Sequence, residues 1–392
     1  MISRIYPSIP MQFADNHPSR GVCSGALAMV CLIAAMLCPV QASPVRIATL
    51  GGDSRLVLDS TNLFDYPALV RQMAHADIEL FDDWAGIALP IGTRHGIALF
   101  LNRPDDGLDE LANYVSTTGS PLLRSLHPRP WLDAIYGIRM NSGLSLAAAL
   151  RYSYDVRNQG LDEAGVSRWD TKLGLAAGNP FRGLDAALSL ERVSLRDNSM
   201  GSSRNESDGN GFGIDLRGRW GFAEDAILLP SVVWRKSDFG LAPEEFEIEE
   251  VRGAVAINVR PSPAVLGVLG LVVSGQWQRS RDPANGIAAT ELKHWVLPAV
   301  IAAGEIQIGS LLFRLGARHE SIVDEQEGPD GVDLSFDAGL VTNVGLGFEF
   351  DDLAIDGRLE KNFLRDGPHF IGGSSRGGGL LTTLSCVYRF YE

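Results

Sequence analysis

From residue 332 to residue 350 the chain keeps a beat of two. Val332, Leu334, Phe336, Ala338, Leu340, Thr342, Val344, Leu346, Phe348 and Phe350 alternate with residues that are mostly polar or small, among them Asp333, Ser335, Asp337, Asn343, Gly345, Gly347 and Glu349. Successive side chains of a strand point to opposite faces, so the segment has one apolar face and one polar, small-residue face. Strands of soluble sheets usually end after about 5–6 residues, whereas a tilted strand that crosses a bilayer needs about 9–11. Alternation sustained over this length predicts a transmembrane β-barrel.

The same pattern predicts strands over residues 85–91, 95–102, 131–140, 144–154, 167–176, 183–195, 211–221, 226–236, 246–259, 265–279, 291–303, 308–321, 332–350, 353–363 and 380–390. Bacterial single-chain barrels have an even number of strands. These are fifteen, and residues 76–81 are the candidate for a sixteenth. The fold expected is therefore all-β, an antiparallel transmembrane barrel of 14–16 strands. Residues 103–130 form a longer connection with a short helix predicted at 108–114. The other connectors alternate. Short ones fall at 141–143, 177–182, 222–225, 260–264, 304–307 and 351–352; longer polar ones fall at 155–166, 196–210, 237–245, 280–290, 322–331 and 364–379. Short turns on one side and long loops on the other are the rule for outer-membrane barrels. The last strand ends in Tyr388, Phe390 and Tyr391, similar to the assembly signal of such barrels, with Glu392 as one extra residue.

The N-terminus changes the picture from wall to address. Residues 1–20 carry Arg4 and Arg20 against Asp15, residues 25–40 are an apolar run, and Val40-Gln41-Ala42 precedes Ser43. A basic stretch, an apolar stretch and a small-x-small site predict an export signal cleaved after Ala42, with Met1 or Met11 as the start. The expected organisation is a signal peptide over 1–42, an N-terminal segment over 43–82 and a bacterial outer-membrane barrel over 83–392. Losing the signal removes two basic residues and one acidic residue, which moves the net charge from −14 to −15. So acidic a chain argues against nucleic acid as a partner. Cys23, Cys31 and Cys38 leave with the signal, so Cys386 has no intramolecular partner. No cysteine-built metal centre is expected, and neither a metal nor any other cofactor is predicted.

In the segment 43–82, Gly51-Gly52, Asp59, Asn62 and Pro67-Ala68 resemble the start of bacterial barrels of the long-chain fatty-acid transporter (FadL-like) group and of the related PorV-like barrels. Those begin with a Gly-Gly segment, an Asp-rich stretch and an Asn-Pro-Ala motif. Tyr66 stands where the family usually has Asn. The resemblance covers about 25 residues. It implies that this segment packs inside the barrel as a plug, with Gly51, Gly52, Asp59, Asn62 and Pro67 as its motif.

Charges concentrate on the face opposite the apolar one. Asp215, Arg217 and Arg219 alternate with Phe212, Ile214, Leu216 and Trp220. Arg168, Asp170 and Lys172 share one face, as do Asp356, Arg358 and Glu360; Arg151, Arg252 and Arg314 add to the set, with Asp185 and Asn258 beside them. Such charges are costly in a dry core and acceptable in a wet lumen or as cross-strand ion pairs. Two readings follow: structural pairs holding a plugged barrel together, or a solute path whose lining sets preference. Trp131, Trp169, Trp220, Trp234, Tyr136, Tyr152, Tyr388 and Phe390 fit the interfacial girdles of a membrane protein. His319-Glu320-Ser321 is the one histidine with a nucleophile close by, superficially similar to the His-x-Ser pair of lipid A deacylase barrels.

The function expected is that of a non-enzymatic outer-membrane barrel that passes or binds small solutes, hydrophobic ones included, by FadL-like transport or as a porin-type channel. The alternative is a non-conducting PorV-like platform for secreted or surface proteins, and the third reading is a lipid hydrolase. The expected partners are outer-membrane lipid, a small or lipophilic solute and a secreted protein.

Overall fold

The computed structural model describes residues 43–80, 83–104, 106–117, 120–141, 143–160, 162–198, 205–241, 245–282, 287–328, 331–359 and 381–390. The signal expected over 1–42 lies outside them, as does the whole connection between the last two strands, residues 360–380, with Glu360 in it. Among the described residues there are sixteen strands: β1 (His75–Glu79), β2 (Trp84–Ile91), β3 (His95–Leu101), β4 (Arg129–Asn141), β5 (Leu144–Gln159), β6 (Asp162–Gly178), β7 (Arg182–Asp197) and β8 (Asn205–Ala223), then β9 (Ala226–Phe239), β10 (Glu245–Ser262), β11 (Val265–Asp282), β12 (Ile287–Ile308), β13 (Leu311–Gly328), β14 (Gly331–Phe350), β15 (Leu353–Leu359) and β16 (Leu381–Arg389). Each pairs antiparallel with its sequence neighbours, and β1 pairs with β16, so the sheet closes on itself and leaves no edge. The sixteenth strand is β1, at His75–Glu79. The segment expected to precede the barrel therefore ends about eight residues earlier than residue 82.

The barrel is apolar outside and charged inside. On β8, Asp215, Arg217 and Arg219 are at most 6% exposed, whereas Phe212, Ile214, Leu216 and Trp220 are 37–64% exposed. Around the wall the outward aromatics gather at two levels. Tyr152, Trp169, Phe212, Trp234, Trp295 and Phe336 stand toward one end, in register with one another or with each other's neighbours. Trp220, Phe313, Phe348 and Tyr388 stand toward the other. Two such girdles bounding a band of Leu, Val and Ile are the outer surface of a protein set in a bilayer. No described helix is long and apolar enough to cross a membrane; the crossing is made by strands.

The turns correct one expectation. At the end that holds both barrel termini, seven connections are two or three residues long. Short connectors were expected on this side, but 177–182, 222–225 and 260–264 were drawn too long, and the one at 304–307 falls instead at 309–310. At the opposite, loop end, residues 155–159 belong to β5 and 162–166 to β6, and most of 322–331 belongs to β13 and β14. Beyond the girdle both faces of a strand meet water, so the apolar alternation stops while the hydrogen-bonded ladder continues. Residues 331–338 of β14 are exposed on both faces.

Candidate functional site: the polar interior and its cavity

Residues 43–72 fold as short helical turns. Ser43 Oγ accepts from the Arg46 amide and caps α1 (Pro44–Thr49), with Pro44 at its first position. Gly51 and Gly52 then take φ of +109° and +80°, which L side chains rarely adopt, and the Gly52 amide returns to the Ile47 carbonyl. Asp53 caps a 3-10 turn at Ser54–Leu56; α2 (Asn62–Asp65) and a second 3-10 turn (Pro67–Gln72) complete the segment. It touches β13–β16 through α1, β9 and β10 through the first 3-10 turn, and β2–β6 through the second. A segment in contact with opposite sides of a closed barrel lies across its interior.

The wall makes room for it with glycine. A Cβ on Gly316 would stand 2.2 Å from the Thr49 carbonyl oxygen, and one on Gly174 would stand 2.8 Å from Pro67 Cγ. These are the inward small residues of the two-residue beat, and the passing backbone is the reason for them.

Charge then ties segment to wall. Arg46 donates from Nε and Nη2 to the two carboxylate oxygens of Glu305 (2.7 and 2.9 Å) and from Nη1 to Asp59 (2.8 Å). Burial by itself opposes the Arg46 charge, but Glu305 and Asp59 outweigh it and hold the guanidinium above its ordinary value. Arg55 reaches Asp215 at 2.7 Å and Asp65 at 2.8 Å. Burial would raise the Asp65 carboxyl; Arg55 and Lys172 reverse this and hold it below the ordinary range. Tyr66 donates to Asp215 at 2.7 Å, and burial together with that carboxylate pushes its phenol up. Asn62 is a junction. Its Oδ1 accepts from the Asp59 amide (3.0 Å) and from Arg217 (2.7 Å), and its Nδ2 donates to the Ser54 carbonyl (2.6 Å).

The other residues singled out in the sequence sit as follows. Arg217 and Arg219 both pair with buried Asp185. Arg252 pairs with Asp53, and Asn258 donates to the Leu56 carbonyl. Lys172 donates to the Phe64 carbonyl. Arg314 bridges Glu305 and Asp356, and Asp356 also accepts from Ser43 Oγ at 2.7 Å. Arg151 and Arg103 share Asp133; Arg168 pairs with Glu191; Asp170 is buried beside them, in register with Arg151 and Glu191. Asp59 is buried in the Arg46 pair, and Pro67 packs under β6 at Gly174. Sequence reasoning missed Arg46, Arg55 and Glu305. Glu305 falls where a turn was expected, but β12 runs on to Ile308. Its partner Arg46 is 259 residues away, and no local pattern links the two.

Described residues cover one side of the loop end. Between β3 and β4 the chain forms α3 (Asp106–Thr117), longer than the helix expected, and α4 (Pro121–Arg124). Leu108, Leu111, Tyr114, Leu123 and Leu126 pack on the inner faces of Val166, Val193, Leu195, Phe239 and Ile248. On the polar side of α3, Glu110 accepts from Gln276. Burial, with help from Glu250, pushes its carboxyl up to about 7.

On the other side of the mouth, above α1, a cavity of ≈ 360 Å³ is lined by Ala48, Gly51, Gly52, Arg318, Glu320, Val341, Asn343 and Arg358. Arg318 Nε donates to Glu320 at 2.8 Å, and Arg358 Nε donates to Thr382 Oγ1 at 3.0 Å. His319 and Ser321 instead share the outer face of β13, opposite Leu340 and Ala338 of β14, with no carboxylate at those flanking positions. The geometry therefore supplies no third member for a catalytic set there. Among the described residues no group of three or more His, Cys, Asp or Glu is placed to hold a metal ion.

No family model matches the sequence, and no curated protein does. Similar solved structures include the siderophore receptor PirA from Pseudomonas aeruginosa (8% identity, 81% of this chain and 79% of that one, TM-score 0.37). Two others are the FrpB iron transporter from Neisseria meningitidis (7%, 72% and 60%, TM-score 0.40) and the ferric yersiniabactin uptake receptor FyuA from Yersinia pestis (7%, 81% and 79%, TM-score 0.34). This chain spans under two thirds of the FrpB structure. At these scores nothing about substrate carries over from them. The closed wall, the girdles and the charged interior of this chain are those of a membrane-spanning β-barrel.

Proposed function

We propose that the chain is a bacterial outer-membrane barrel, exported by residues 1–42, through which small solutes pass from the loop-end mouth when the segment 43–72 shifts. The tight-turn end faces the periplasm by the rule for such barrels. The observation that carries this reading is the chemistry of the seal. Arg46, Arg55, Asp53 and Asn62 meet the wall through ion pairs and hydrogen bonds, with an apolar contact surface on either side of them. Buried ion pairs stabilise less than apolar packing of the same volume, and their members are readily hydrated once water enters. A polar seal is thus a separable one, which favours a hatch in the manner of the FadL-like group over a permanent filling. The reading as a PorV-like platform draws support from the rim of β14, which offers residues 331–335 on both faces beyond the girdle.

Solute flux into proteoliposomes tests the proposal. The intact chain is expected to admit small solutes, and Arg46→Gln and Arg55→Gln, which loosen the seal, are expected to admit them faster. Equal impermeability of all three would refute passage and favour the platform.

A further inference from the structure

The chain as a whole is strongly acidic, at −14, yet the cavity above α1 is not. Among the described residues its charged lining is Arg318, Arg358 and Glu320, a balance of one positive charge. The two guanidiniums flank β14 from opposite sides. Arg318 is on β13 opposite Val341, Arg358 is on β15 opposite Gly345, and Asn343 lies between those two levels on β14. Both Nε atoms are engaged, with Glu320 and with Thr382, and these bonds fix the guanidinium planes at the cavity wall. Of the two lining glycines, Gly52 leaves the space before it open, since a Cβ built there would meet nothing within 4 Å. Higher on the same faces stand Asp337 of β14, opposite Ile322, and the pair of His294 with Asp324, joined at 2.6 Å. The floor is the backbone of Gly51 and Gly52, where a bound molecule would rest directly on the sealing segment. A volume of ≈ 360 Å³ is within the range of small-molecule sites.

We propose that this cavity is a binding site for a small organic anion, a carboxylate or a phosphate, held by Arg318, Arg358 and Asn343. The proposal rests on the reading of the barrel as a passage and names the solute class that enters it. Arginine presents a planar fork of donors suited to both oxyanions, and Asn343 adds an amide donor. Glu320 restrains the site. It neutralises part of Arg318, so it sets the affinity below what two unopposed guanidiniums would give.

The test is equilibrium binding by calorimetry on the detergent-folded full chain, with succinate, inorganic phosphate, glucose and putrescine as probes. Succinate or phosphate should bind, glucose and putrescine should not, and affinity should fall as salt rises. Whichever of the two anions binds tells carboxylate from phosphate. Arg358→Gln should weaken binding about ten- to a hundredfold, the usual effect of losing a charge-assisted hydrogen bond. Arg358→Lys should fall between, and Glu320→Gln should tighten binding. Opposite signs at Arg358 and Glu320 are what a purely structural role would not give, and heat-modifiable migration confirms that each variant is folded. Absence of anion binding at millimolar concentration, equal binding of glucose or putrescine, or indifference to Arg358→Gln overturns the proposal. Flux without anion preference would leave the passage standing and remove the site. Anion binding without flux would do the reverse.

Discussion

Arg46 shows how a single residue ties the segment 43–72 to the wall. It is fully buried, and it satisfies Glu305 on the wall and Asp59 within its own segment. Replacing it by methionine keeps the bulk, strands the buried Asp59 carboxylate and leaves Glu305 with Arg314 alone. The expected cost is about 3–5 kcal/mol, read as a lower urea midpoint for the loss of the heat-modifiable band; a shift below a tenth of that would show that the pair does not hold the structure. Ser43 offers a second check. Its hydroxyl already lies on Asp356. If residues 1–42 are removed as proposed, the new α-ammonium falls at this residue and the intact mass of purified protein should begin at Ser43; a mass that retains residues before Ser43 would contradict the cleavage. At this scale the sequence was partly legible. Asp59 and Asn62 stood out through the family resemblance, and the inward charges through alternation. Their partners did not, because an ion pair between residues 46 and 305 leaves no periodic trace.

Among the elements, α3 is expected to dock in a pH-dependent way. The Glu110 carboxyl is pushed up to about 7, first by burial and then by Glu250, while Arg168, Gln276 and Arg235 oppose the shift. An acid whose folded value lies above its ordinary value binds more protons folded than free. Docking of α3 therefore weakens as pH rises from about 4.5 to about 7 and is strongest below that window. Hydrogen exchange of residues 106–117, corrected for intrinsic rates, should quicken across that range, and Glu110→Gln should abolish the change. Equal pH dependence in the variant would contradict the assignment. The helix was foreseen too short, since its apolar stripe is half matched by charged and polar residues such as Asp109, Glu110 and Asn113. The strand segments 155–159 and 322–328 were hidden for a related reason: outside the bilayer neither face has to be apolar, so period two fades where the ladder does not.

For the whole molecule, the inverted arrangement, apolar outside and charged within, makes the cost of an outward charge a measure of depth. Leu315 lies between the girdles and Leu334 beyond Phe336, both facing outward. Leu315→Arg should cost about 2–4 kcal/mol and Leu334→Arg about 0–1, measured by equilibrium folding into lipid. Equal costs would place the bilayer elsewhere. Architecture was the most legible level, because a single solvent boundary imposes the same beat on every strand. A filled lumen was suggested in the sequence by the family resemblance of residues 51–68, whereas the small residues that make room for it, at Gly174, Gly316 and Gly345, take their purpose from that distant segment.

That dependence supplies the most direct test. A Cβ built on Gly345 stands 3.1 Å from Thr49 Cβ, within a few tenths of an ångström of disulfide geometry. The measurement is flux through Thr49→Cys/Gly345→Cys protein, with Cys386→Ser to leave no third thiol. If the segment must shift for solutes to pass, the oxidised protein is closed and a reductant restores flux to the level of the intact chain. Flux that is the same in oxidised and reduced protein, with the cross-link verified, would contradict a moving seal.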